Sequence, residues 1–285
     1  MKSPYLADDA FLADVQQARG QPDLLHIWWM GQSGFLVLWQ GNSLLFDPYL
    51  SDSLTEKYAH TDKPHVRLTG RVVDPSRLDF LQVVASTHNH TDHLDGATLR
   101  ALIAASPHLR LVVPDANRLF VAERLECDPS WLVGVDDGVQ ESVGAFRFFG
   151  VPAAHETIER DDLGRCKMLG YVVQVGPWTL YHSGDTIHYP EMNETLRRWP
   201  IDVALLPING RAPERRVAGN LDGAQAAQLA QDVGVGLVIP CHYDMFEFNT
   251  ATPDDFIVTC ESLGQPYRVL ENGQRISLPD PRSEA

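Results

Sequence analysis

The sequence has little that would staple it, anchor it in a membrane or draw it to polyanions. Four cysteines occur in 285 residues (Cys127, Cys166, Cys241 and Cys260), and no two form a Cys-x-x-Cys pair. That scatter argues against a disulfide frame and fits free thiols in a reducing cytoplasm. The first residues, Met1-Lys2-Ser3-Pro4-Tyr5-Leu6-Ala7-Asp8-Asp9, lack the apolar stretch of a secretory leader, and no apolar run approaches membrane-spanning length. Positive charge is scarce: 23 Lys and Arg face 38 Asp and Glu, a formal charge of -15. Broad binding to nucleic acid or to an anionic membrane is thereby disfavoured, which leaves a small molecule as the expected partner.

Histidine, in contrast, is concentrated. Ser86-Thr87-His88-Asn89-His90-Thr91-Asp92-His93-Leu94-Asp95-Gly96 follows the apolar run Phe80-Leu81-Gln82-Val83-Val84-Ala85. A run of that length reads as a buried strand, and loops at the carboxyl ends of sheet strands commonly carry chemistry. In extended backbone, residues two apart point the same way, so His88 and His90 can share one metal ion. Asp92 and His93 lie beyond a turn and suit a second. Neutral imidazoles with a hard carboxylate fit zinc, manganese or iron, and the absence of cysteine from the loop disfavours a purely structural zinc.

Along the chain, residues 5–19 read as an amphipathic helix with Phe11, Leu12 and Val15 inward and Gly20 as its stop. Two strand-like runs, 24–31 and 33–39, lead to a turn expected at Gly41-Asn42 and a third strand ending at Asp47-Pro48. Trp28 and Trp29 are expected in the core. Asp47 reads equally as a carboxylate supporting a metal ligand or as a turn residue. Residues 51–74 are polar and irregular, and His60 and His65 in them read as solvated. A β-α-β-α rhythm follows, with Asp115 expected to cap a helix over 116–125, and implies helices on a sheet. Strands over 139–151, 168–175, 178–182 and 201–207 deliver His155, Asp185 and the loop of Arg211, Arg215 and Arg216; a last strand over 235–240 delivers His242. The three arginines read either as a solvated loop or as forks for an anionic substrate group. The tail, residues 279–285, is polar and expected to fray.

His88-x-His90-x-Asp92-His93 resembles the signature of the metallo-β-lactamase superfamily. The resemblance implies an α/β fold, the αββα sandwich of two mixed β-sheets flanked by helices, with the chain as a single domain over 1–285. It also implies further ligands in order: His155, then Asp185 after Gly184, then His242. Two ligand sets result, His88, His90 and His155 for one divalent cation and Asp92, His93 and His242 for the other, with Asp185 between them. Two such cations, zinc or manganese, would draw a shared water toward hydroxide, with Asp92 taking up its proton.

Four blocks narrow the resemblance: Trp28-Trp29-Met30-Gly31-Gln32-Ser33-Gly34-Phe35, the histidine loop, Leu180-Tyr181-His182-Ser183-Gly184-Asp185-Thr186, and Val238-Ile239-Pro240-Cys241-His242-Tyr243-Asp244-Met245-Phe246. Together they resemble the L-ascorbate-6-phosphate lactonase family, which implies hydrolysis of a sugar-acid lactone and a tendency to form homo-oligomers. Gly184-Asp185-Thr186-Ile187-His188-Tyr189 holds one residue more than that family's pattern. His188, Tyr189, Arg211 and Tyr243 are the residues expected at the substrate. A metal-dependent phosphodiesterase and a non-catalytic metal-binding scaffold are the alternatives.

Overall fold

A computed structural model describes residues 1–280 and 282. The expectation for the tail therefore falls, at residues 281 and 283–285, outside the described residues. Strands β1 (Leu24–Gly31), β2 (Gly34–Trp39), β3 (Asn42–Phe46), β4 (Val83–Ala85), β5 (Arg110–Pro114) and β6 (Val133–Val135) come first, followed by β7 (Gln140–Val143), β8 (Phe146–Pro152), β9 (Leu169–Val175), β10 (Trp178–His182), β11 (Val203–Pro207), β12 (Leu237–Cys241) and β13 (Arg275–Pro279). The helices are α1 (Asp8–Arg19), α2 (Ser53–Tyr58), α3 (Gly96–Ala105), α4 (Arg118–Leu125), α5 (Met192–Leu196), α6 (Gly223–Val233) and α7 (Asp254–Leu263).

Two mixed sheets result. One runs β13-β1-β2-β3-β4-β5-β6 and the other β12-β11-β10-β9-β8-β7. In the first, β3 to β6 pair in parallel; in the second, β10, β11 and β12 do. Alternation along β1 sorts its side chains between two cores. Leu25, Ile27 and Trp29 join Phe148, Tyr171 and Leu180 between the sheets. Trp28 and Met30 join Phe11 and Val15 of α1 and Leu99 and Leu102 of α3 on the outer side. Both faces are covered, so the strand reads as one apolar run. On the far side of the second sheet, α6 packs on β11 and β12, and α7 packs on α6. Truncating a residue such as Trp29 costs about 3–5 kcal/mol in a core of this kind.

Several local expectations give way. The β2–β3 turn is Gln40-Gly41, both at positive φ, because Trp39 pairs with Asn42 and the two residues between must be left-handed. Asp115 does not cap α4: its carboxylate takes Arg118 at 3.3 Å and Arg165 at 2.7 Å. Leu12 of α1 is only half-buried, while Ala18 completes the inward stripe. Residues 51–74 contain α2. β12 is not the last strand: α7 and β13 follow, and β13 closes the first sheet against β1 through pairs such as Ile27 with Ile276. Among the described residues, all four cysteines are free and no helix is long and apolar enough to cross a membrane.

Candidate metal centre

Parallel strands carry their carboxyl ends to the same rim of a sheet, and this rim collects the histidines and aspartates. Asp47 leaves β3 beside the end of β4, because Phe46 pairs with Ala85. The histidine loop leaves β4, His155 follows β8, Asp185 follows β10 and His242 follows β12. Asp95 starts α3 by accepting the N–H groups of Ala97 and Thr98, and so ends the loop in a capped helix. At the turn after β10, Gly184 has φ +60°, and a Cβ there would meet Thr87 Cβ at 2.8 Å. Only glycine lets this turn press against the histidine loop. His182 braces the same turn: its Nε2–H donates to Ser33 O at 2.8 Å and its Nδ1 accepts the Gly184 N–H at 3.0 Å.

Three donor sets form, in each of which the ligand atoms lie within 4.8 Å of one another: His88, His90 and His155; His88, His93 and Asp185; Asp92, His93 and His242. The Asp185 carboxylate stands between the two outer sets. Its Oδ1 is 3.3 Å from His93 Nε2, and its Oδ2 is 3.3 Å from His242 Nε2 and 3.7 Å from His155 Nε2. All seven sequence-derived candidates are thus brought together.

Behind the donors stand partners that fix ring orientation. His93 Nδ1–H donates to Asp47 Oδ2 at 2.7 Å, and Asp47 is itself held by the Thr87 N–H and hydroxyl at 2.8 and 2.7 Å. Both of its readings hold: the carboxylate supports the His93 ring, and the residue itself sits in a bend at φ 38° after β3. His155 Nδ1–H donates to Gly219 O at 2.8 Å. Gln32 Nε2 donates to Asp92 Oδ2 at 2.9 Å and lies 3.1 Å from His242 Nε2. With Nδ1 of His93 and of His155 engaged in this manner, Nε2 of each is free to ligate. His88 Nε2, His93 Nε2 and Asp185 Oδ1 are buried without a hydrogen bond of good geometry. Buried polar atoms are nearly always satisfied, so three orphans aimed at one place, all of metal-binding type, fit a divalent cation.

The electrostatics agree. Burial, reinforced by neighbouring imidazoles, presses His88 well below its usual pKa. Burial alone would raise Asp185 and Asp92, but His93 and His242 hold both well below the carboxylate range. Burial would lower His242, yet Asp185 and Asp92 raise it to about 9; His93 is likewise raised, against its burial, by Asp185, Asp47 and Asp92. Without a cation the carboxylates thus favour the protonated forms of His93 and His242, and a bound cation would compete with those protons.

The donors lie at a cleft of about 470 Å³, whose walls include Lys57, Lys63, His65, Arg124 and Asn249. None of the four residues expected at the substrate is among its lining residues. Arg211 is paired with Glu156, and exposed His188 meets Asn193 Oδ1 at 2.8 Å. Tyr189 and Tyr243 are buried, their hydroxyls donating to Pro152 O and Leu270 O. Arg215 holds Asn209 O and Asn249, and Arg216 pairs with Asp62. His65, read as solvated, instead stacks on Tyr58 at 4.6 Å and faces the cleft. Arg124, which carries no motif, donates from Nη1 to Asn89 O and Leu94 O at 2.9 Å each and so braces both ends of the histidine loop.

A family model described as a beta-lactamase superfamily domain matches residues 42–243. The chain is 28% identical, over 89% of its length and 100% of the relative's, to a UPF0173 metal-dependent hydrolase from Opitutus terrae. It is 26% identical, over 88% and 97%, to another from Caldivirga maquilingensis. Among solved structures it is similar to Igni18, a metallo hydrolase from Ignicoccus hospitalis, at TM-score 0.64 and 22% identity over 90% of this chain and 98% of that one. It is also similar to an isothiocyanate hydrolase from Delia radicum gut bacteria, at TM-score 0.71 and 15% identity over 90% and 99%. With well over half of its length matched and its two mixed sheets arranged as described, the chain belongs to the beta-lactamase superfamily and has the metallo-β-lactamase fold.

Proposed function

We propose that the protein is a hydrolase dependent on two divalent cations, zinc or manganese, and that it opens a lactone or related ester in a small anionic, sugar-acid-like substrate. One observation carries the reading: two donor sets, with the Asp185 carboxylate between them, meet in a cleft that also bears cationic side chains. His88, His90 and His155 would hold one ion, and Asp92, His93 and His242 the other. Such ions, when bound, lower the pKa of water and stabilise negative charge developing on an attacked carbonyl or phosphoryl oxygen. Asp92 lies in the cleft wall with Gln32 fixing one of its oxygens, so its carboxylate is oriented to take up a proton. Asp47, Thr87 and Gln32 keep the rings and carboxylates in place as charge moves. Lys57, Lys63 and Arg124, rather than Arg211, would seat the substrate's anionic group; in a chain of net charge -15, their gathering at this cleft supports that role.

The relatives named metal-dependent hydrolases support hydrolysis, and the four sequence blocks support the lactonase assignment. The test is a screen of the metal-loaded protein against anionic lactones, neutral lactones and phosphodiesters. Faster turnover of anionic lactones is expected. Turnover of phosphodiesters alone would replace this reading with a phosphodiesterase, and no turnover with both ions bound would leave a metal-binding scaffold.

A further inference from the structure

The segment between β11 and α6 forms part of the cleft wall through Val217 and Ala218. Arg211, at its start, turns away from the cleft. Its Nε donates to Glu156 Oε1 at 3.1 Å, and its Nη2 is paired with Glu156 Oε2. Glu156 directly follows His155. The same Oε1 accepts the Gly219 N–H at 2.9 Å, and Gly219 O in turn accepts His155 Nδ1–H at 2.8 Å. Arginine, carboxylate, loop amide and imidazole thus close a ring. A Cβ at Gly219 would meet Arg211 Cγ at 2.5 Å, so the loop backbone lies directly against the arginine stem. Glu156 has φ 107°, a conformation that side-chain-bearing residues avoid. Strain of that kind, about 1–3 kcal/mol, persists where the surroundings enforce it. Here it turns the carboxylate back onto the loop.

We propose that Arg211, Glu156 and Gly219 form a latch that positions His155 for the ion it shares with His88 and His90, and that this ion is the exchangeable one of the pair. The proposal rests on the two-ion reading above. A ligating imidazole depends on whatever holds its second nitrogen. For His155 that is a loop carbonyl, kept in place by an ion pair whose side chains are 59% and 35% exposed. Exposed pairs contribute at most about 1 kcal/mol and are screened by salt. At the other end, His93 is held by Asp47, and both side chains are completely buried. Opening the latch frees the His155 ring and withdraws the Val217–Ala218 wall together. Arg211 is a positioning residue, because it lies outside the ligand sets and acts through His155.

The test loads the full chain with cobalt(II) and withdraws it with a competing chelator while the visible absorption of each site is followed. Two steps are expected for the wild type. Arg211→Ala should weaken the more easily lost ion by about two- to five-fold, the scale of one exposed ion pair, and leave the other unchanged. Glu156→Gln should do the same, and Arg211→Lys should restore most of the affinity. Loss of affinity at both steps alike, or at neither, overturns the latch while leaving the two-ion reading intact. Uptake of a single equivalent by the wild type overturns the two-ion reading, and the latch as well unless Arg211→Ala weakens that equivalent.

Discussion

His93 and His155 stand at opposite ends of the donor cluster, and the fold holds them by different means. Behind His93 lie Asp47 and Thr87, just beyond the ends of two paired strands and wholly buried. Behind His155 lies one carbonyl of a loop, kept in place by a pair of surface charges. The first arrangement is built into the sheet and moves only if the sheet does. The second can open while the sheet stays intact. On the two-ion reading proposed above, such a site would combine one firmly retained ion with one that responds to the loop.

Removing the group common to both ends should have the largest effect. Asp185→Ala is expected to lose one ion per chain and to reduce hydrolysis below detection while far-UV circular dichroism is unchanged. Full activity at unchanged metal content would refute the bridging role. Asp47→Asn sharpens the contrast from the rigid end: the tighter ion should weaken roughly 10–100-fold, with the weaker ion unaffected in chelator competition.

The comparison also predicts a pH dependence in the metal-free protein. His242 is raised to about 9 when folded, against 6.5 when unfolded. Its contribution to stability is therefore complete below pH 6.5 and is lost as pH rises through about 9. The urea midpoint of the metal-stripped chain should fall across that range, and that of the metal-loaded chain should not; parallel curves would contradict the balancing of buried carboxylates by imidazolium. The smallest effect belongs to the cleft rim. Lys57→Met should raise KM for an anionic lactone by about two- to five-fold without changing kcat, the scale of one exposed charge. An equal rise in KM for a neutral lactone would exclude a charge effect.

The donor cluster could be read from the sequence because dense histidine after an apolar run is locally visible, and β4 is short enough to be recognised as buried. The partners of those donors could not, because they come from register. Asp47 meets His93 only since β3 and β4 lie side by side, 46 residues apart in sequence at that contact. The arginine loop misled for a related reason. Three cations within six residues are conspicuous, but the carboxylates that engage Arg211 and Arg216 lie 55 and 154 residues away. Tyr189 and Tyr243 look suited to a substrate until their hydroxyls are found on backbone carbonyls inside the core. His65 had no partner at ligand spacing, and the rings of Tyr58, Phe246 and Phe248 hold it at the cleft. β13 went unread because Arg275-Ile276-Ser277-Leu278-Pro279 is half-exposed and carries no continuous apolar run.

That final strand has a consequence for how the chain is made. β1 emerges early in synthesis, yet one of its two edges is completed only when residues 275–279 arrive. Until then the backbone from Leu24 to Trp28 offers an open row of amides and carbonyls, flanked by some of the most apolar side chains in the molecule. Such an edge is a template for pairing with another copy. A nascent or truncated chain ending before Arg275 is thus expected to be the aggregation-prone form, with β13 acting as an intramolecular cover for that edge.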